Sequence, residues 1–364
     1  MGLFRRRKAH AVREEPPQVT VTARVVTGEP SWEEPEIVPA HERVTSLSAD
    51  RHGLYPHELL MLVYAHTYTT DTRDFQQFWW YRYGVRNPRA LLVSLTERGF
   101  LRIGGTESAV AAQTGSTLKS LLREHGLKVS GKKADLVERV LASVPPSTLD
   151  DAFPQRFYEP TDIGNTAVAA NPHIGYIHRS RLESPDIYSL TEMVHAHPDK
   201  RWRDLIWGHL NERRIVHSSA RNWGLYRNTG FGMAEFVAEE RKWKTAIGML
   251  TEVIYYDLSG MDNNFDRDRR LEFIDYLFPY ETSSATIPPG VTERLFRWAA
   301  NAGLTDDDLD DLMIGRLRRQ GSALRLFTDD EIVQIVFLER DKNTAELSRI
   351  YAHAERRLRA TYQR

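Results

Sequence analysis

The chain has 364 residues, 41% of them hydrophobic, which is enough to bury more than one core and predicts two or three domains. It has no cysteine, so disulfides, thiolate metal sites and cysteine nucleophiles are excluded. Its 49 basic and 50 acidic residues give a formal net charge of −1. Any attraction to nucleic acid must therefore come from a local basic surface rather than from the chain as a whole.

The first fifty residues begin with the basic run MGLFRRRK and continue with prolines among many glutamates. This composition predicts a disordered tail over residues 1–50. The longest dense apolar run, LLMLV at 59–63, is far too short to span a bilayer. We therefore expect a cytoplasmic protein without a membrane span.

Residues 51–183 carry the signals of a small domain that contains both helices and strands. A helix is predicted from Pro56, because proline suits the first turn and apolar residues then recur at helical spacing. A second helix is predicted between the N-cap Asn87 and the stop at Gly99. The same stretch includes FQQFWWYRYG, whose crowded aromatic rings indicate either a buried core or a base-stacking platform, and we favour the core.

The end of this domain is predicted as strand, hairpin, strand and helix. FLRI reads as the first strand, and the second precedes Thr161, which is placed to cap the final helix. This order, with LxxLxxxGFL and YxxTxxG, resembles the winged helix of multiple-antibiotic-resistance regulators. The resemblance implies that residues 104–155 are inserted at the tip of the wing. Whether the presumed recognition helix contacts nucleic acid stays open, because its cations Arg89 and Arg98 are opposed by Glu97.

The segment 116–145 predicts two amphipathic helices joined by a short linker. The first helix ends at Gly126, and Ser130 with Gly131 is placed to start the second. The apolar faces of the two helices comprise Leu118, Leu121, Leu122, Ala134, Leu136, Val137, Val140 and Leu141. LKSLLREHGLKVSGKKADLVERV resembles the SAP domain, a helix-linker-helix module. The resemblance implies DNA binding, or in some cases RNA binding.

The predicted contact site lies in and around this linker. Backbone N–H groups at a helix start, beside lysines, form a site for phosphate oxygens. Six basic and three acidic residues make the segment 116–145 positive within a nearly neutral chain. The site residues that we predict are Lys119, Lys128, Ser130, Gly131, Lys132 and Lys133. No pattern for reading base edges is present, and a role of this module as a protein adaptor stays open.

Residues 184–364 are predicted to be helical. GLYRNTGFGMAEFVAEERKWKTAIGMLTEVIYYDLSG, at 224–260, has the spacing of a tetratricopeptide-like helix pair, whose buried face comprises Ala234, Val237, Ala246, Leu250 and Val253. One such pair cannot bury its faces alone, so flanking helices must cover it. A capping box at Thr328 and Glu331 opens a further helix, and the last helix is predicted over 344–362. We expect these helices to bind a protein partner or to mediate self-association.

No catalytic or metal-binding pattern stands out. The histidines of this region, at 195, 197, 209 and 217, lack the i, i+4 spacing of a supported metal site. DNNFDRD, at 262–268, lacks the glycine and the bidentate glutamate of a calcium loop. Nucleophile, phosphate-loop and nucleotide-binding motifs are absent from the sequence. We therefore expect a non-enzymatic protein without a cofactor.

Together these features predict a mainly α fold: a winged-helix-like domain over 51–183 with a SAP module inserted at 116–145, followed by a helical repeat-like domain over 184–364. The combination resembles uncharacterised SAP-domain proteins of Gram-positive bacteria and their phages. The resemblance implies a nucleic-acid-binding protein whose SAP module contacts DNA phosphates, or RNA phosphates. The alternative is a protein-interaction scaffold of a bacterial, phage or mobile-element system that does not bind nucleic acid.

Overall fold

A computed structural model of the chain describes residues 48–260, 272, 287–320 and 326–362. Nearly all of the predicted tail, residues 1–47, lies outside the described residues, and so does the segment 262–268 that was compared with a calcium loop. The described residues form 17 α-helices, a short 3-10 helix and one two-stranded sheet. The prediction of a mainly α fold is therefore confirmed.

The elements before residue 180 include both strands. In chain order they are α1 (Pro56–Tyr64), the 3-10 helix Ala65–Thr67, α2 (Phe78–Tyr81), α3 (Pro88–Glu97), β1 (Leu101–Ile103), α4 (Thr106–Ala112), α5 (Gly115–Glu124), α6 (Lys133–Ser143), α7 (Pro146–Ala152), β2 (Tyr158–Pro160), α8 (Asp162–Ala170) and α9 (Pro172–Arg179).

The elements after residue 180 are all helices within the part of the chain that the structure describes. They are α10 (Ile187–Ala196), α11 (Trp202–Ser219), α12 (Trp223–Glu239), α13 (Trp243–Asp257), α14 (Pro289–Asn301), α15 (Asp306–Leu317), α16 (Asp329–Arg340) and α17 (Thr344–Tyr362).

The two strands form an antiparallel pair that brackets the predicted insertion. Leu101 pairs with Pro160 and Ile103 pairs with Tyr158, so α4 to α7 leave and rejoin the fold at this hairpin. The N-caps Asn87 and Thr161 are confirmed, because the side chain of each accepts a hydrogen bond from the first turn of its helix. The likeness to a winged helix itself stays a prediction.

The aromatic run before α3 is partly buried, and Phe75 and Phe78 pack against the core with about half their surface covered or more. Trp79 and Tyr83 are buried, and the indole N–H of Trp79 donates to the hydroxyl of Tyr68 over 2.6 Å. The core interpretation is confirmed for these rings. Trp80 and Tyr81 instead lie at the surface, where the side chain of Tyr81 is 87% exposed.

Successive helices of the C-terminal part are joined by similar tight turns. Arg221, Arg241 and Lys342 each follow a helix end and adopt a positive φ of 55–57°, although none is glycine. The five side chains predicted for the tetratricopeptide-like face are all buried between α12, α13 and their neighbours. The capping box at Thr328 and the last helix are confirmed as predicted.

The buried apolar side chains fall into two clusters. The larger one runs from Leu54 to Leu358 and includes Ile177 and Ile187, which lie on either side of the domain boundary predicted at residue 183. The boundary therefore stays a prediction. The smaller cluster belongs to α4 to α7. Every helix among the described residues is too short or too polar to span a lipid bilayer.

Candidate nucleic-acid interface

The inserted unit is larger than the two helices that the sequence predicts. Ala109 and Val110 of α4, and Leu149 and Phe153 in and after α7, join the apolar faces of α5 and α6 in the smaller core cluster. The core of the unit is therefore built from four helices. The two flanking helices have seven residues each and too little periodicity to be recognised before the long-range contacts are known.

The end of α5 fixes where the linker begins. Gly126 has a φ of +66°, and its N–H donates to the carbonyl of Arg123 while the N–H of Leu127 donates to the carbonyl of Leu122. This pair of bonds is the Schellman motif, which needs a residue that tolerates the left-handed conformation. The predicted stop at Gly126 is confirmed.

The linker alternates between buried and exposed side chains. Leu127 and Val129 are partly buried and pack against the core of the unit, whereas Lys128 and Ser130 are exposed. An extended chain places successive side chains on opposite sides, so anchoring the two apolar residues directs Lys128 into solvent.

The prediction that Ser130 caps the second helix is wrong. The N-cap of α6 is Lys132, whose backbone N–H donates to a carboxylate oxygen of Asp135 over 2.9 Å. Gly131 precedes the cap with a φ of +132°, a conformation that residues with a Cβ rarely adopt. The chain therefore turns at Gly131 and not at the hydroxyl of Ser130.

The structure brings most of the predicted site together. Ser130, Gly131, Lys132 and Lys133 are consecutive and exposed, and they lie in the linker and at the start of α6. Lys128 is exposed on the same linker. Lys119 is exposed too, but it lies in α5, five residues before the end of that helix, or about 7.5 Å along its axis.

Local charge favours an anion at the start of α6. Within the described part of the chain, Lys119, Lys128, Lys132 and Lys133 have no ion-pair partner, and the N–H groups of residues 133–135 have no protein acceptor. Asp135 is the opposing charge. Residues 104–155 contain six basic and six acidic residues, so the unit as a whole is neutral and its positive surface is confined to the linker side.

Arg139 is a residue whose structural role the sequence did not reveal. Its guanidinium donates to the carbonyl of Lys128 over 2.7 Å and to that of Ser130 over 3.1 Å. These bonds hold the linker against α6, so Arg139 positions the lysines. The partner atoms are backbone carbonyls, and for this reason no pattern of side chains in the sequence indicates them.

Arg89 of α3 and Arg98, which follows the last residue of α3, both have intramolecular partners. Arg89 donates to the carbonyls of Thr70 and Thr72, and Arg98 pairs with Glu58. The structure thus gives both cations of the presumed recognition helix an intramolecular role. The basic surface with unpaired lysines belongs to the linker of the inserted unit.

The histidines considered for a metal do not converge. His209 lies 2.8 Å from the hydroxyl of Ser184, His195 contacts Ser48, and His217 is buried. No group of three or more potential metal ligands occurs among the described residues.

Comparison with known proteins decides the identity of the inserted unit. The family model of the SAP domain matches residues 111–144. This segment is a SAP domain. SAP domains are generally DNA-binding modules, which supports a nucleic-acid-binding role for the chain in broad terms. No curated protein matches the chain.

Proposed function

We propose that the protein binds duplex nucleic acid through the SAP linker, with Lys128, Lys132 and Lys133 contacting backbone phosphates. The observation that carries the proposal is the set of exposed, unpaired lysines beside three N–H groups at the start of α6 that lack a protein acceptor. Lysine ammonium groups and N–H groups of this kind contact phosphate oxygens in nucleic-acid complexes. The proposal includes no catalytic step. We also propose that the protein acts in the cytoplasm.

The interface is suited to phosphates rather than to bases. Lysines and amides at a helix start fix the position of a backbone but read no base edge. We therefore expect little dependence on sequence. DNA is the first candidate because of the family, and the same contacts would suit RNA phosphates.

The direct test is fluorescence anisotropy with a labelled 20-base-pair DNA duplex and its RNA counterpart at low salt. Lys132→Glu with Lys133→Glu should weaken binding by at least about tenfold, since two phosphate contacts are lost. Lys200→Glu with Lys244→Glu is the matched control. Both of these lysines are exposed outside the SAP domain, and the change in net charge is the same. Equal losses in the two double variants would contradict the proposal.

A second candidate function is protein interaction through the C-terminal helices. Ile215 and Val216 are adjacent on α11, and their side chains are 65% and 63% exposed. Two exposed aliphatic side chains next to each other give α11 a small apolar surface that a partner could cover. Sedimentation of the chain and of its Ile215→Glu, Val216→Glu variant tests self-association. If the unmodified chain forms an oligomer and the variant does not, self-association through α11 is supported. If the unmodified chain is a monomer at all concentrations, self-association is excluded and the partner must be a different protein.

A further inference from the structure

A cleft with an unusual set of arginines lies outside the SAP domain. It has a volume of about 380 Å³ and is bounded by the end of α9, the loop that follows it, α12, the start of α13, and α14. This volume is at the lower end of the range of about 300–1,000 Å³ found for small-molecule sites. Its cations are Arg179, Arg181 and Arg297.

The carboxylates of the cleft are already neutralised. Glu235 accepts from Arg294 over 2.7 Å. Glu239 pairs with Arg203 over 3.1 Å and accepts from the hydroxyl of Tyr176 over 2.8 Å. Burial and this hydrogen bond to Glu239 raise the pKa of Tyr176, which stays a neutral donor.

The three lining arginines have no such partner. Arg179, Arg181 and Arg297 are exposed, and no ion pair or hydrogen bond joins them to another described residue. Arginine stays charged at neutral pH, so three lining arginines without a partner give the cleft a positive charge that a bound anion would neutralise. The cleft therefore presents an excess of three positive charges.

Aromatic side chains line the same cleft. Trp298 and Phe236 are buried at its base, and Trp243 is half-buried at the start of α13. Gly232 lets the loop after α9 approach α12, because a Cβ at this position would lie 2.9 Å from a methyl group of Leu182. Guanidinium forks suit phosphate oxygens, and aromatic walls suit a planar ring.

We propose that this cleft binds a nucleotide, with its phosphate held by Arg179, Arg181 and Arg297 and its base placed against Trp243. The nucleotide is either free or part of a single strand, since both present the same phosphate and ring. The cleft is separate from the SAP linker, so an experiment can disprove either binding proposal without affecting the other.

The experiment uses the full chain carrying Lys132→Glu and Lys133→Glu, which removes the SAP contact. Two probes are titrated at low salt: adenosine diphosphate with a fluorescent ribose label, and a fluorescein-labelled twelve-nucleotide thymidine strand. We expect saturable binding that Arg179→Glu or Arg297→Glu weakens by at least about tenfold. Arg356→Glu on α17 is the matched control, because Arg356 is exposed, unpaired among the described residues and remote from the lining of the cleft.

Binding of the mononucleotide identifies a free nucleotide as the ligand, and binding of the strand alone identifies single-stranded nucleic acid. Circular dichroism and thermal melting confirm that each variant is folded. If a glutamate variant does not fold, Arg297→Gln is used in its place. Arg297→Gln should still weaken binding more than Arg356→Gln does. The proposal is overturned if neither probe binds saturably, or if Arg356→Glu weakens binding as much as the cleft variants do.

Discussion

At the scale of the residue, Gly131 decides how the SAP linker enters α6. Its φ of +132° is strained for any residue with a Cβ, and a Cβ there would lie 2.9 Å from the carboxylate of Asp135. Gly131→Ala should therefore lower the free energy of local unfolding around the linker by about 1–3 kcal/mol. Hydrogen exchange of the amides between 127 and 140 in the full chain should speed up at least about tenfold.

Gly115→Ala provides the control for this substitution. Gly115 opens α5, has no positive φ, and a Cβ there would meet no atom within 4 Å. We expect exchange in its neighbourhood to be unchanged or slower, because alanine favours the helix. Unchanged exchange in Gly131→Ala would show that the linker does not depend on this turn.

Asp135 is the only acidic residue in the linker and first turn of α6, residues 126–135. Asn at this position keeps an oxygen for the N–H of Lys132 but removes the charge that repels phosphate. Asp135→Asn should raise the affinity for duplex DNA about two- to fivefold at low salt. Asp151→Asn, on an exposed part of α7, changes the net charge equally and should have a smaller effect. A titration in which both variants gain the same affinity would contradict a local role.

At the scale of the element, a buried carboxylate joins three helices of the C-terminal part. Glu252 of α13 is almost fully buried and pairs with Arg214 of α11 and Arg316 of α15. Burial alone raises the pKa of Glu252, but the two arginines outweigh it and hold the pKa below its ordinary value. The carboxylate is therefore charged at neutral pH, and both arginines depend on it.

Glu252→Gln should destabilise the chain by about 3–5 kcal/mol, because two partly buried guanidiniums lose their counter-charge. The free energy of unfolding is measured in urea. Asp204→Asn breaks the exposed pair with Arg201 and should destabilise the chain far less, because solvent screens that pair. Equal losses of unfolding free energy in the two variants would mean that burial does not strengthen the pairing of Glu252 with Arg214 and Arg316.

The elements that the sequence predicted well are those with local signals. Asn87, Thr161 and Thr328 cap their helices through atoms a few residues away, so the sequence contains both partners. The similar tetrapeptides ARNW and ERKW, which begin at residues 220 and 240, coincide with two of the tight turns between helices. Local patterns also identified the SAP helices and their lysines.

What could not be predicted depends on contacts between distant residues. The seven-residue helices α4 and α7 are stabilised by a core shared with α5 and α6. Arg139 and Arg89 bind backbone carbonyls, which have no sequence signature. The misplaced cap at Ser130 has a local cause. The chain turns at Gly131, so α6 begins after Lys132, and Asp135 accepts from the N–H of Lys132.

At the scale of the whole molecule, two buried histidines link stability to pH. Burial lowers the pKa of His173 and of His178 to about 4, and Arg82 and Arg179 also lower that of His178. The unfolded chain protonates these groups near pH 6.5, so it binds more protons than the folded chain between pH 6.5 and 4. Their contribution is complete above pH 6.5 and is lost as the pH falls towards 4.

As the pH is lowered from 6.5 to 4, we expect the free energy of unfolding to decrease by on the order of 3 kcal/mol for each histidine. Glu339 opposes the effect, because burial raises the pKa of its carboxyl to about 7 and the folded chain then binds that proton more tightly. Urea unfolding from pH 7.5 to 4.5 should therefore show a flatter dependence in His178→Gln and a steeper one in Glu339→Gln. If the free energy of unfolding depends on pH equally in the unmodified chain and in both variants, His178 and Glu339 do not link stability to pH.

Contact between the SAP linker and nucleic-acid phosphates can be tested through the salt dependence of duplex binding. Each phosphate contact adds about 0.9 to the slope of log affinity against log salt concentration. If Lys132 and Lys133 each neutralise one phosphate, the slope for Lys132→Glu with Lys133→Glu should be shallower than that of the unmodified chain by about 1.8. The same slope in both proteins, or no duplex binding by the unmodified chain at low salt, would show that Lys132 and Lys133 do not contact duplex phosphates.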